Sequence, residues 1–403
     1  MFIVGIDIAK KSHQGIIIDS EGKPVGKTFK FKNTMEGFDN LLGIIKEVDS
    51  DISHFEVGME ATGHYWINLY TRLIDKGFKV HVINPLQSDA IRNLYLRKTK
   101  TDSVDSKLIA NVIRFGEYTE TRLTDDKLLA VRELSRQRFY LVDLNSDLKR
   151  KVVVVMDKIF PEYQKTFSDM FGKTSCAILK RCPSAKEVND IPLDELTSIV
   201  QEASRKKFST NKANEVKAKA KNSFSALIQT EHYSILVKQM VEQIEMNEKQ
   251  IKDLEKVIAE KFDQLNSKIT QIPGIGPVLG AVIVSEIGDI NRFSSPKKLV
   301  AYAGIDPSIK QSGDFLSSAN HMSKRGSPYL RRALWIASFV NLNHNKEIAE
   351  LYTKKTDGGK SHYRTMGFLC HKLLNIIYVV LKNNVDYVPY YNQEEPEQEK
   401  KCS

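Results

Sequence analysis

Four carboxylates in the amino-terminal third have the types and spacing of a metal site. Asp7 lies inside the apolar run FIVGIDIA, where strand alternation puts Ile3, Gly5 and Asp7 on one face and Val4, Ile6 and Ile8 on the other. A carboxylate among such neighbours costs several kcal/mol of desolvation unless something positive answers it, and no basic residue in that strand does. Glu60 repeats the anomaly at the end of another strand-like run, HFEVGME. Asp102 and Asp105 open the helical stretch TDSVDSKLIANVI, directly after Arg97, Lys98 and Lys100. At i and i+3 they share one side of the helix and repel each other. Complementing the helix dipole, the ordinary role of such residues, needs only one of them. If this helix packs beside the two strands, a divalent cation, or two about 4 Å apart, turns the repulsion into binding. Oxygen-only ligation suits magnesium, with manganese as the alternative ion, rather than zinc.

Another group of candidates lies near the carboxyl terminus. In IPGIGPVLGAVIVSEIG, Gly274, Gly276 and Gly280 surround a tight turn that opens a helix. Such a turn can aim N–H groups at a phosphate, as in helix–hairpin–helix modules, or it can be a helix connection that needs glycine for close packing. Lys324, Arg325, Arg331 and Arg332 cluster where Ser327 caps a helix beginning at Pro328, an arrangement suited to clamping a phosphate. Upstream, Ser312 stands before glycine on a loop, with Ser317, Ser318 and Ser323 close behind. Read alone, such serines are turn residues or hydroxyls that bind phosphate. Tyr363, between His362 and Arg364, is better explained by a helix of mixed polarity than as a recombinase nucleophile.

The elements that must position these groups fall into two patterns. Residues 1–120 read as three meandering strands followed by strand–helix alternation, the order of a ribonuclease-H-like α/β layer. A dinucleotide fold is disfavoured because no G-x-G-x-x-G follows the first strand, and an actin-like ATPase because DIAKKS carries no phosphate loop. From 121 to 268 two long helical patterns flank a segment, Arg205–Lys221, with seven basic residues and one acid. A solvated face is the plain reading of that segment, and phosphate contact the functional one. In the later of the two long patterns, Val237, Met240, Ile244, Ile251, Leu254 and Ile258 follow coiled-coil spacing with Asn247 on the seam. An antiparallel helix pair within one chain satisfies the same spacing. Residues 269–385 form a mainly helical third unit, and 386–403 read as a disordered tail.

The net charge of +10 and pI near 9.1 favour a polyanionic partner, most simply nucleic acid. Four scattered cysteines fit neither a zinc site nor a disulfide framework and point to a reducing cytoplasm. No apolar run approaches the ~18 residues of a membrane span, and the amino terminus does not read as a secretory signal.

Taken in order, GIDIAK, GMEATGHY, KTDSVDSKLIA, IPGIGPVLGA and LVAYAGIDPSIKQSGD…SKRGSPYLRRAL resemble the DEDD-type insertion-sequence transposases of the one-ten family, which include recombinases guided by a bridge RNA. The resemblance runs from about Phe2 to Asn384, and its middle matches only in being helical. It implies a RuvC-like metal domain bearing Asp7, Glu60, Asp102 and Asp105, a coiled-coil assembly region, and a transposase domain whose nucleophile is Ser312. It further implies magnesium-dependent cleavage and exchange of DNA through a covalent serine–DNA link, a guide RNA as partner, and a dimer or tetramer in the bacterial or archaeal cytoplasm, at the nucleoid. Because Ser312 is about two hundred residues from Asp105, that chemistry requires domains or subunits to meet. The alternatives are a RuvC-like junction nuclease that hydrolyses with metal-activated water, and a nucleic-acid-binding protein without catalysis.

Overall fold

The computed structural model describes residues 1–61, 63–83, 102–116, 118, 125–226, 231–307, 311–312, 315–316 and 321–389. For residues 102, 103, 311, 312, 315 and 316 it describes the backbone only. The chain divides into two compact units, Met1–Leu123 and Thr124–Ser403.

In the first unit β1 (Phe2–Asp7), β2 (Ser12–Ile18) and β3 (Phe29–Lys32) form an antiparallel meander, and β4 (Phe55–Glu60) and β5 (Lys79–Ile83) add to β1 in parallel. The sheet order is β3-β2-β1-β4-β5. Parallel neighbours need crossovers. Helix α1 (Met35–Val48), capped by Thr34, precedes β4, and α2 (Trp66–Asp75) links β4 to β5. Both lie on one face of the sheet, where Phe38, Leu41, Ile45, Leu69 and Leu73 cover Val4, Ile6, Val57, Met59 and Val82. Helix α3 (Asp102–Phe115) covers the other face, packing Ile109, Ala110, Val112 and Ile113 on Ile3, Ile16, Ile18 and Ile83. This mixed sheet between helices agrees with the ribonuclease-H-like order expected from the sequence.

The second unit is built on two long helices, α4 (Asp126–Ile159) and α9 (Glu231–Asp263). Arg138 pairs with Glu255, Asn145 with Asn247, and Lys158 lies over the Tyr233 ring, so the helices run antiparallel within one chain. Of the two arrangements the heptad spacing allowed, this is the intrachain one. Asn247 donates to Asn145 Oδ1 at 3.2 Å, and Asn145 donates to the Ile244 carbonyl at 3.4 Å. A buried asparagine pair satisfied in this way holds one register against axial slippage.

Four shorter helices lie between them in sequence: α5 (Lys173–Arg181), α6 (Ala185–Asp190), α7 (Leu193–Ser204) and α8 (Thr210–Lys221). They pack a core of their own against one end of the pair, around Met156, Phe160, Tyr163, Ile178, Val200, Val216 and Val241. At the other end Val131, Phe139, Ile258 and Phe262 share a core with α10 (Pro277–Ile287), α11 (Pro296–Ala303), α12 (Pro328–His344) and α14 (His362–Asn383). The boundary expected at 268/269 therefore passes through a common core. Between α12 and α14 lies α13 (Lys346–Asp357).

Helix α14 is long and apolar enough to cross a membrane, contrary to the expectation that no such stretch exists. Its apolar stripe, including Leu369, Leu373, Leu374 and Ile377, is buried in the core, so packing accounts for its composition. Cys176, Cys182 and Cys370 are free and buried, and burial pushes the Cys182 thiol up to about 12, which leaves it unreactive.

Candidate active site

Two glycines determine where the carboxylates lie. Gly5 and Gly58 are register partners on the adjacent parallel strands β1 and β4. A Cβ on Gly5 would stand 2.2 Å from the Ser106 carbonyl oxygen, and one on Gly58 would stand 2.5 Å from Ile113 Cγ1. Helix α3 thus rests directly on a bare strip of sheet. Strand alternation gives Asp7 and Glu60, each two residues further on, the same face as the glycines and hence the face of α3. The last aligned pair is Ile6 with Met59, so the two acids end their strands side by side, at the ~4.8 Å spacing of neighbouring strands.

The direction of α3 follows from its far end. Arg114 packs against Gly22, in the turn after β2, beside the start of β1. The opposite terminus, with Asp102 and Asp105, therefore points to the strand ends that carry Asp7 and Glu60. Asp105 is 8% exposed. Asp7, Glu60 and Asp105 each take part in hydrogen bonds or electrostatic interactions. The side chain of Asp102 lies outside the described residues. The donor set, oxygen only, fits a hard divalent cation in kind. Among the described residues, no three His, Cys, Asp or Glu side chains stand close enough to form a finished cage.

In the second unit Ser312 lies in a strand rather than on the expected loop. Its backbone belongs to β6 (Gln311–Ser312), and it pairs in antiparallel register with Phe315 of β7 (Phe315–Leu316). The Ser312 side chain and residues Ser317 and Ser318 lie outside the described residues. The feet of this hairpin are fastened by a bridge between Pro307 and Met322. Ser323 adds to the fastening, donating its N–H to the Asp306 carbonyl at 2.8 Å and its hydroxyl to Asp306 Oδ1 at 2.5 Å. The Ser323 hydroxyl is thus committed to holding the hairpin.

The expected phosphate contacts divide. Arg331 donates to the carbonyls of Ala303 and Gly326 at 3.2 and 2.6 Å, and partial burial lowers its pKa. Arg332 pairs with Asp143 at 2.8 Å and stacks over Phe139. Both serve the fold. Lys324, whose φ is +54°, and Arg325 are exposed at the loop that leads into α12. Ser327 caps α12 through the Leu330 N–H, as expected, and also donates to Glu286. Glu286 is 3% exposed and receives both prongs of Arg136, a buried network invisible in the sequence.

Gly274, with φ +85°, packs against α12, where a Cβ would stand 2.6 Å from the Ala337 carbonyl oxygen. Gly276 is exposed at the start of α10, with nothing near where its Cβ would be. Close packing thus explains Gly274, and Gly276 is the residue of that turn open to a ligand.

Sequence reasoning singled out the acids as candidates but missed the two glycines that seat α3 beside their strands. The signal was present: Gly-Ile-Asp at 5–7 and Gly-Met-Glu at 58–60 repeat glycine two residues before a strand-terminal acid.

Comparison with known proteins gives the same pairing of parts. Two transposase family models match, one named for DEDD transposases of IS110 over residues 4–161 and one described as the IS116/IS110/IS902 family over 266–353. The chain is 21% identical over 389 residues to a 44.8 kDa protein of insertion element IS116 from Streptomyces clavuligerus, covering 96% of both. It is 22% identical to the mini-circle putative transposase for IS117 of Streptomyces coelicolor, covering 94% of this chain and 93% of that one. It is 23% identical to a pilin gene-inverting protein of Moraxella lacunata, covering 94% and 96%. The acid-bearing sheet, the helical second unit and these full-length likenesses agree, and the chain belongs to the IS110/IS116/IS117 family of insertion-sequence transposases.

Proposed function

We propose that this transposase cuts and rejoins DNA with Ser312 as nucleophile and with Asp7, Glu60, Asp102 and Asp105 as ligands for one or two magnesium ions. It acts as a homo-oligomer on element ends and target DNA in the cytoplasm, directed by an element-encoded guide RNA. The observation that carries the reading is the seating of α3 on Gly5 and Gly58, which directs Asp105 and the start of the helix to the sheet end that bears Asp7 and Glu60.

The chemistry balances as an exchange of phosphate esters. A bond forms between Ser312 Oγ and phosphorus while the bond to one deoxyribose oxygen breaks, and the serine proton leaves with the departing hydroxyl. Rejoining is the reverse step with the hydroxyl of a new strand. One phosphodiester is traded for another, so no external energy source is required. An unassisted serine hydroxyl is a weak nucleophile. A divalent cation held by the carboxylates would supply charge stabilisation at the scissile phosphate and activate that hydroxyl. Lys324, Arg325 and the exposed Gly276 end of α10 contribute contacts to the DNA backbone. One relative is named for inverting a pilin gene, and inversion requires rejoining as well as cutting, which supports exchange over hydrolysis.

Covalent trapping tests the reading. Wild-type protein, labelled element-end DNA, the flanking noncoding RNA and magnesium should give a protein–DNA adduct that survives denaturation. Ser312→Ala should give none. Robust strand cleavage by Ser312→Ala would establish the water-using nuclease instead, and DNA binding without cleavage by the wild type would establish a non-catalytic binder.

A further inference from the structure

The helices α5–α8 lie in the stretch that neither family model covers, between 161 and 266. They carry the basic segment Arg205–Lys221, and the structure divides its cations into two kinds. Lys212 donates to the Thr166 carbonyl and pairs with Glu215. Lys217 donates to the carbonyls of Asn189 and Ile191, and Lys219 to the Lys165 carbonyl and Glu215. These three staple α8 to its neighbours. Arg205, Lys206, Lys207 and Lys221 are exposed and have no side-chain partner among the described residues.

The free cations stand at the two ends of α8, each beside an exposed phenyl ring. At the amino end, Arg205 and Lys206 both adopt left-handed backbone, with φ of +53° and +64°. Glycine would take these angles freely, whereas other residues cost about 1 kcal/mol or more each. The turn therefore keeps its charge at some expense in stability. Phe208 follows, 38% exposed, its N–H bonded to Ser204 Oγ at 3.1 Å and its ring edge-on to Phe167. At the carboxyl end Lys221 precedes Phe224, whose ring is 93% exposed. Its backbone is nonetheless fastened, the N–H donating to Glu162 Oε1 at 2.9 Å while Ser223 occupies Oε2. Phe224 is thus held out into solvent by bonded backbone, whereas Phe208 is partly covered by Phe167 and by the Lys212 ammonium, 5.8 Å from its ring, and shows the remainder of its surface to solvent.

We propose that α8 and its two flanking turns bind single-stranded nucleic acid, with Arg205, Lys206, Lys207 and Lys221 on phosphates and Phe208 and Phe224 stacking on unpaired bases. A duplex hides its base faces, so exposed phenyl rings favour a strand. The 12-residue helix separates the two platforms by about 18 Å, a span of a few nucleotides. The inference rests on the reading that this protein handles nucleic acid. Guide RNA and unpaired DNA share the chemistry, and the arms of the test separate them.

The experiment is fluorescence anisotropy on the full chain with labelled oligouridylate and oligothymidylate of about 16 nucleotides and a duplex of the same length. Replacing Arg205, Lys206 and Lys207 together by Gln should weaken strand binding about tenfold or more and lower the salt slope by about 2. Phe208→Ala with Phe224→Ala should weaken it by about tenfold to a hundredfold. Both should leave duplex affinity within about twofold. Tighter binding of one oligomer identifies RNA or DNA as the source. If the triple variant loses cooperative melting, the phenylalanine variants decide, because they remove exposed rings. Unchanged strand affinity, equal loss on the duplex, or no strand binding by the wild type overturns the proposal. Processing of element-end duplex by the wild type judges the wider reading separately.

Discussion

The acid end of the first unit and the basic stretches of the helical unit are equally suggestive as sequence, and the structure treats them differently. At the acid end, Asp7 and Glu60 close neighbouring inner strands on the face that α3 covers, and the start of α3 brings Asp105 toward the same end of the sheet. In the helical unit many of the cations are spent on the fold. Arg136 answers Glu286, Arg331 holds two carbonyls, Arg332 answers Asp143, and three lysines of α8 staple its neighbours. Charge density therefore does not distinguish a ligand from a staple. Backbone carbonyls and buried acids consume cations readily, so a basic run has many uses inside a fold.

The largest way to break this comparison is at the acids. Asp7→Asn and Asp105→Asn should each reduce DNA strand cleavage by about a thousandfold or more, the scale of losing transition-state charge stabilisation, while thermal melting stays cooperative. Activity within about tenfold of wild type would make the acids structural, like the arginines.

Next in size is the glycine strip. Gly5→Ala places a methyl 2.2 Å from a backbone carbonyl oxygen and 2.7 Å from Ala110 Cβ, neither of which can swing aside. Urea unfolding should show a loss of about 3 kcal/mol, the upper range for overpacking, together with lost cleavage. Gly276→Ala, with nothing near its Cβ, should cost far less in stability.

The cations offer a finer discrimination. Lys324→Ala with Arg325→Ala should lower the salt slope of duplex DNA binding by about 2 and leave unfolding unchanged. Arg332→Ala should do the reverse, leaving the slope intact and costing about 1 kcal/mol through its lost pair with Asp143. Identical behaviour of the two variants would erase the distinction between staple and ligand.

The smallest effect concerns the sheet face away from the acids. His13 is buried with its Nε2 unpartnered among the described residues, and burial lowers its pKa below the ordinary 6.5. The unfolded chain therefore takes up a proton that the folded chain refuses. Stability is fully present above about 6.5 and falls as pH drops from there toward the folded value, by at most about 1.4 kcal/mol per pH unit. Urea midpoints from pH 7.5 to 5 should show that decline, and a His13→Leu variant should lack this component.

Much of the first unit was legible because its signals are local. Alternating apolar residues gave β1, β4 and β5, and an acid inside an apolar strand is conspicuous by its desolvation cost. The packing of α3 was not legible, since it depends on Gly5 and Gly58 becoming neighbours across a parallel pair more than fifty residues apart. In the helical unit the heptad spacing of α9 identified a seam without identifying its partner, because α4 and another chain present equivalent surfaces to it. The roles of Arg331 and Arg332 were hidden for a similar reason. A carbonyl left bare at the end of α11, or an acid on α4, enters no count of charges along the segment. Ser312 was singled out through its motif, but its place in a hairpin depends on a pairing with Phe315 that a Ser-Gly turn signal obscures.

The central claim is that the strand-end and helix-start acids together hold a divalent cation. Manganese binding followed by electron paramagnetic resonance tests it most directly, because free and bound ions give different signals without any need for DNA. Wild-type protein should bind manganese, magnesium should displace it, and Glu60→Gln and Asp105→Asn should each weaken binding by at least about tenfold. Equal binding by the wild type and both variants, or none by any of them with folding intact, would contradict the account.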